Sequence, residues 1–134
     1  NEPVALMFLD LDRFKEINDT HGHHYGDILL KRVGHRIREI LRESDTVARI
    51  GGDEFAIILP RPEKIEGAVR AAKKIMEAMT PPFNLVKTQV NITVSIGIAV
   101  FPDHGEDINL LLKKADEAMY AAKESGRGFA VCGN

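Results

Sequence analysis

A single cysteine, Cys132, stands in the chain. No internal disulfide can form, which suits a reducing cytosol. No apolar run approaches the roughly 20 residues that a membrane-spanning helix needs, and no cationic, apolar secretory leader opens the chain. Charge of one sign is also missing: Lys and Arg total 18 against 20 Asp and Glu, a formal net charge of -2. A polypeptide this near neutrality is not a bulk electrostatic binder of nucleic acid polymers. Any anionic ligand must be held by a few placed cations or by metal ions. Internal repeats, low-complexity stretches and linkers are absent too. What remains is ordinary globular material, 134 residues with 44% hydrophobic and 28% charged. That is one domain's worth, and it excludes a disordered tail or a disulfide scaffold. Asn1-Glu2-Pro3 leads almost at once into a strand-like run, so the first residue is expected to be a cut and not a natural start.

Val4 to Leu9 is a continuous apolar run ending at Asp10, the pattern of a strand buried on both faces in mid-sheet. Phe14 to Asp19 fits one short helical turn, and Gly22 and Gly26 are expected to bracket a loop. From Asp27 to Leu41, apolar residues at Leu29, Leu30, Val33, Ile37, Ile40 and Leu41 mark one face of a helix. Thr46 to Ile50 and Glu54 to Leu59 are strand candidates, and Gly51-Gly52 between them permits a tight hairpin. A second amphipathic helix runs from Ile65 to Met79 and stops at Pro81-Pro82. Phe83 to Val86 reads as a minor strand. Val90 to Val100 alternates for eleven positions and predicts a single strand. Asp107 can cap a third helix, Gly126 fits its left-handed end, and Phe129 to Val131 is a short last strand. The order β-α-β-β-α-β-α-β favours one mixed central sheet flanked by helices, an α/β (α+β) palm-like, ferredoxin-related sandwich.

Carboxylates concentrate at two points that such a fold brings together. Asp10 leaves the buried first strand, and Asp53 and Glu54 follow the glycine pair. Clustered carboxylates raise one another's pKa values unless a cation neutralises them. Hard oxygen ligands of this kind suit Mg²⁺, usually held by one or two carboxylates plus substrate phosphates. Taken singly, Asp10 and Asp12 can instead cap the next turn while Asp53 and Glu54 decorate a hairpin. The shared location weakens that plainer reading.

Gly51-Gly52-Asp53-Glu54-Phe55 spells the GGDEF signature. With it come Asp10-Leu11-Asp12-Arg13-Phe14-Lys15, Asn18-Asp19, Gly22-His23, Gly26-Asp27, Val94-Ser95-Ile96-Gly97 and Lys123 to Arg127, in order. Through these words, nearly the whole chain resembles the GGDEF family of diguanylate cyclases. The resemblance implies a nucleotidyl cyclase fold and the condensation of two GTP into cyclic di-GMP with release of two pyrophosphates. It implies two Mg²⁺ (or Mn²⁺) ions per active site, held by Asp10, Asp53 and the Leu11 backbone carbonyl, with Glu54 beside them. Asp53 is the first choice as proton acceptor. Lys15 is implied to stabilise charge at the phosphates, and Lys123 and Arg127 to form a second pair of phosphate contacts. Asn18 and Asp27 resemble guanine readers, with His23 and Phe14 at the nucleotide pocket. Lys15 can also be a plain solvated lysine, and Lys123 and Arg127 also complement a helix C-terminus. His21, His23 and His24 could suggest a transition-metal site, but oxygen-rich Mg²⁺ chemistry explains the neighbourhood better.

Arg42 and Asp45 match the family's RxxD site, where product cyclic di-GMP is held away from the active site and inhibits it. Catalysis between two GTP-loaded domains implies a homodimer. Family members usually carry a further segment before the first strand, with a D-x-L-T-x-L-x-N-R motif that is not matched here. Residues 1–134 are therefore expected to be a GGDEF domain lacking its usual N-terminal segment and excised from a larger signalling protein. Its expected place is cytoplasmic, alone or as the cytoplasmic part of a membrane-anchored sensor, with no membrane contact of its own. The alternative is a catalytically silent module that binds GTP or cyclic di-GMP within a larger, GGDEF-EAL type protein. An adenylyl cyclase or polymerase palm shares the metal logic, but Asn18 and Asp27 disfavour it.

Overall fold

The computed structural model describes residues 2–62, 64–126 and 128–133. Strand β1 (Val4–Leu11) leads into two consecutive helices, α1 (Phe14–His21) and α2 (His23–Ile40). The hairpin β2 (Thr46–Gly51) and β3 (Glu54–Pro60) follows, then α3 (Ile65–Ala78). A two-stranded ribbon of β4 (Phe83–Leu85) and β5 (Thr88–Val90) precedes β6 (Val94–Phe101), α4 (Ile108–Ser125) and β7 (Phe129–Val131). The main sheet has the order β2-β3-β1-β6-β7. Strand β1 is antiparallel to both neighbours, and β6 and β7 run parallel, so the sheet is mixed. Helices α2 and α3 cover one face and α4 the other. The expected mixed sheet carrying helices, with a ferredoxin-like strand order at its centre, is what the chain forms.

Central placement explains the composition of β1. Ala5, Met7, Leu9 and Leu11 pack into the core with α2 and α3, while Leu6 packs on the opposite face with Ala99, Leu111 and Ala115. Both faces being covered, the run is apolar without alternation. On β6 the small residues serve a different end. A Cβ at Gly97 would overlap the Ala115 carbonyl oxygen and Met119 nitrogen and stand 2.9 Å from the Met119 Cα. Only glycine lets the α4 backbone lie this close to the sheet.

Three local expectations are corrected. The loop between Gly22 and Gly26 is a single break at Gly22 (φ 93°), and α2 starts at His23, four residues before the sequence reading put it. Gly26 lies inside α2 because its missing side chain leaves room for Asn18 and Phe14. The eleven-residue strand splits at residues 91–93, where the Thr93 carbonyl turns to accept from the Asp12 N–H at 3.0 Å. The third helix follows its reading: the Asp107 carboxylate accepts from the Asn109 N–H, and Gly126 closes the end in the left-handed region. No helix among the described residues is long and apolar enough to cross a membrane.

Candidate active site

In antiparallel pairs, residues directly opposite share a face. Asp10 stands opposite Glu54 of β3 and Ser95 of β6, so these three side chains rise from the same face of the sheet. That face carries α4, whose last turn delivers Lys123. The Lys123 Nζ lies 2.5 Å from Asp10 Oδ2. The other oxygen, Oδ1, is buried without a hydrogen-bond partner. The hairpin tip brings Asp53 to the same point: its carbonyl accepts from the Leu11 N–H at 3.2 Å, and its charge lies close enough to Asp10 to push that carboxyl up. The two acids on which the sequence reading rested therefore meet.

Electrostatics follow from that crowding. Burial is the main cause that pushes the Asp10 carboxyl up from 3.8 to about 6; Lys123 opposes the rise and Asp53 adds to it. Glu54 is raised by burial first, then by the Asp10 and Asp116 charges, with Lys123 pulling the other way. Burial alone would lower the Lys123 ammonium, but the hydrogen bond to Asp10 and the charges of Asp10, Asp12 and Asp53 carry it above its usual value. An oxygen-only donor set with an unpartnered buried carboxylate oxygen fits a hard divalent cation. Among the described residues no group of three or more His, Cys, Asp or Glu side chains gathers to hold a metal alone. Oxygen ligands from outside these side chains would have to complete the coordination.

The turn after β1 is held by contacts that sequence reasoning did not foresee. Asp12 accepts from the Thr93 hydroxyl at 2.6 Å and the Ser95 hydroxyl at 2.8 Å. Ser95 belonged to a word already quoted, but only the β1–β6 register reveals its partner. Next to it, Arg13 occupies the left-handed region (φ 59°, ψ 28°) at the start of α1, a strain of about 1 kcal/mol for a residue with a side chain. The N–H groups of Glu16 and Ile17 turn back to the Arg13 carbonyl. Those of Phe14 and Lys15 open the helix, where an anion is favoured. Lys15 itself is exposed.

Asn18 and Phe14 of α1 converge on Gly26 of α2. A Cβ at Gly26 would run into the Asn18 amide oxygen and stand 3.1 Å from the Phe14 ring. That amide oxygen is buried without a partner, and Asp27, exposed, follows one residue on. His23 is exposed at the first position of α2. Arg127 lies outside the described residues. An open groove of about 1100 Å³ borders the site and shares Asp12, Ser95 and Lys123 with it. Its walls include none of Asp53, Asn18 or Asp27, so it flanks the acidic cluster and does not contain it.

Arg42 and Asp45 lie elsewhere, in the turn between α2 and β2. They are not open to a ligand independently, because they bind each other. The Arg42 Nη2 donates to Asp45 Oδ1 at 2.8 Å and to the Pro60 carbonyl at 2.7 Å, and the Arg42 N–H donates to Asp45 Oδ2 at 2.8 Å. Arg38 fastens the turn by donating to the Asp45 carbonyl at 2.5 Å and to the Arg42 carbonyl. Asp45 is buried, whereas 55% of the Arg42 side chain stays exposed.

Residues 1–128 match the family described as "Diguanylate cyclase, GGDEF domain". The chain is 44% identical over 123 residues to MucR of Pseudomonas aeruginosa, a bifunctional diguanylate cyclase/cyclic di-GMP phosphodiesterase, covering 92% of this chain and 18% of that one. It is 47% identical over 128 residues to the diguanylate cyclase TpbB of Pseudomonas aeruginosa, covering 95% and 29%. The crystal structure of the TpbB GGDEF domain superposes with a TM-score of 0.96 at 44% identity, over 99% of this chain and 84% of that one. The GGDEF domain of DgcB from Caulobacter crescentus, solved in complex with c-di-GMP, gives 0.86 at 32% identity over 98% and 77%. The chain thus spans less than a third of the length of these curated relatives.

Proposed function

Because the chain belongs to the GGDEF family of diguanylate cyclases, we propose that it condenses two GTP into cyclic di-GMP and two pyrophosphates. The observation that carries the reading is the meeting of Asp10 and Asp53 beside an intact Gly51-to-Phe55 hairpin. Asp10, Asp53 and the Leu11 carbonyl hold Mg²⁺ (or Mn²⁺), and Glu54 adds negative charge beside them. Bound divalent ions supply neutralisation of the triphosphate and a lowered pKa for the attacking 3′-hydroxyl. Asp53 accepts the hydroxyl proton. Lys15, Lys123 and Arg127, with the open N–H groups at the start of α1, stabilise charge on the phosphates. The Asn18 amide and the Asp27 carboxylate bind the guanine edge, a recognition worth about 1–3 kcal/mol against the wrong base. Phe14 and His23 border the pocket. One domain presents one GTP, so two copies face each other as a homodimer during turnover.

Arg42 and Asp45 form the product site. Cyclic di-GMP binding there exchanges their mutual ion pair for contacts to guanine and phosphate. We place this domain, residues 1–134, within a larger cytoplasmic or membrane-anchored signalling protein. Two further relatives named only as cyclic di-GMP phosphodiesterases, NbdA of Pseudomonas aeruginosa (42% identical) and PdeR of Escherichia coli (40%), support a second reading, a silent module that binds GTP or cyclic di-GMP and regulates a neighbouring domain. Incubation with GTP and Mg²⁺, followed by chromatography for cyclic di-GMP, separates the two. The enzyme makes product, and Asp53→Ala abolishes it while leaving cyclic di-GMP affinity at Arg42 and Asp45 intact. Absence of product at high concentration of the full-length protein refutes the cyclase.

A further inference from the structure

We propose that Lys123 is a built-in counter-ion for the metal site. Without metal its ammonium takes the place on Asp10 that a divalent ion needs, so lysine and metal compete for one carboxylate. The inference rests on the reading of Asp10 as a metal ligand. Three observations support it. The Lys123 Nζ sits 2.5 Å from Asp10 Oδ2, while the Asp10 Oδ1 has no hydrogen-bond partner. The Asp10 side chain is only 13% exposed, so solvent cannot do the lysine's work. Lys123 projects from the last turn of α4, just before the left-handed Gly126. A flexible four-carbon stem can leave the carboxylate without any movement of β1.

Two consequences follow. Metal alone must displace a charge-assisted hydrogen bond and therefore binds weakly. A triphosphate offers the ammonium another anion, so nucleotide draws Lys123 off Asp10 and tightens metal binding. By linkage, metal tightens nucleotide binding equally. The lysine thereby keeps the paired acids tolerable in the empty protein and makes metal loading depend on nucleotide.

The test is Mn²⁺ binding by calorimetry on the nucleotide-free chain, comparing wild type, Lys123→Met and Asp10→Asn. Lys123→Met should bind Mn²⁺ on the order of tenfold tighter, the reach of one charge-assisted hydrogen bond. Asp10→Asn should lose the binding. Equal or weaker Mn²⁺ affinity in Lys123→Met, with Asp10→Asn still defective, overturns the counter-ion and leaves the metal reading standing. Asp10→Asn that binds like wild type defeats the metal reading, and the counter-ion with it. A second readout needs no metal: thermal unfolding in EDTA. Lys123→Met should lower Tm when Asp10 is present and leave it unchanged in the Asp10→Asn background. An equal loss in both backgrounds means that Lys123 merely packs there, and refutes the proposal.

Discussion

Replacing Asp10 by Asn should stabilise the metal-free protein at neutral pH and flatten its response to acid. The carboxyl is raised from 3.8 to about 6, chiefly by burial, with Lys123 opposing and Asp53 adding. A group raised on folding binds its proton more tightly in the native state. That contribution to stability is fully present below 3.8 and is lost as pH rises through about 6. At about pH 7.5 the ionised carboxylate costs the fold on the order of 1–3 kcal/mol once solvent screening is allowed for, and at about pH 5 markedly less. Asparagine has the same shape and no charge to desolvate. Urea unfolding in EDTA at both pH values measures the difference. Wild type should lose on the order of 1 kcal/mol relative to Asp10→Asn on going from the lower to the higher pH. His104 works in the opposite sense. Its Nδ1 accepts from the Val100 N–H at 2.9 Å, and burial lowers its pKa, so its contribution is lost as pH falls below the ordinary histidine range. Both proteins contain it, and the comparison cancels it. Parallel pH profiles, or a variant less stable than wild type at neutral pH, would falsify the account of Asp10 as a costly buried charge.

Gly26→Ala should push the Asn18 amide aside, since the new Cβ overlaps the end of that side chain and not the backbone. GTP affinity should fall on the order of tenfold while stability shifts by less than about 1 kcal/mol, alanine being the better helix former; unchanged affinity removes Asn18 from base recognition. Gly97→Ala meets backbone atoms of α4, which cannot rotate away, and should cost about 3 kcal/mol or more in denaturant unfolding; a Tm within a degree of wild type contradicts the packing described here. Arg42→Ala should relieve inhibition by cyclic di-GMP in a turnover assay. It should also cost about 1–2 kcal/mol, because the buried Asp45 carboxylate keeps only its backbone partner; persisting inhibition takes Arg42 out of the product site.

The elements were legible wherever one local rule acts alone. An unbroken apolar run gave β1, helical periodicity gave α2 to α4, and Asp107 and Gly126 bounded α4 by capping chemistry. Readings failed where a distant residue overrode local pattern. Gly26 looked like loop punctuation because nothing near it in sequence announces that Asn18 needs the space. Residues 91–93 alternate like strand, yet Asp12, some 80 positions earlier, captures the Thr93 carbonyl and hydroxyl. At the site, the meeting of Asp10 and Asp53 follows from strand order, which a hairpin beside the first strand already implies. The contact of Lys123 with Asp10 does not: it depends on how far α4 runs along β6 before Gly126 ends it. The resemblance directed Lys123 to phosphate, and in the structure it sits on a carboxylate.

That contact also shows where the site draws its rigidity. Like charges brought together push their supports apart, so the acids need a frame that does not yield. Asp10 has one, being on the strand paired along its length on both sides, and Asp12 is clamped by two hydroxyls of the neighbouring segment. Lys123 has none: it reaches in from a helix end on a flexible stem. Fixed acids and a movable base are the division that the proposed metal-nucleotide site requires, because the acids must stand ready before the ligand while a phosphate contact must adapt to it. The frame is in turn held by packing two residues beyond Ser95, where Gly97 lets α4 lie against β6. A methyl group at Gly97 should therefore damage more than the core. By lifting α4 it should also carry Lys123 away from Asp10, and nucleotide-free Mn²⁺ affinity should rise in whatever fraction of the protein still folds.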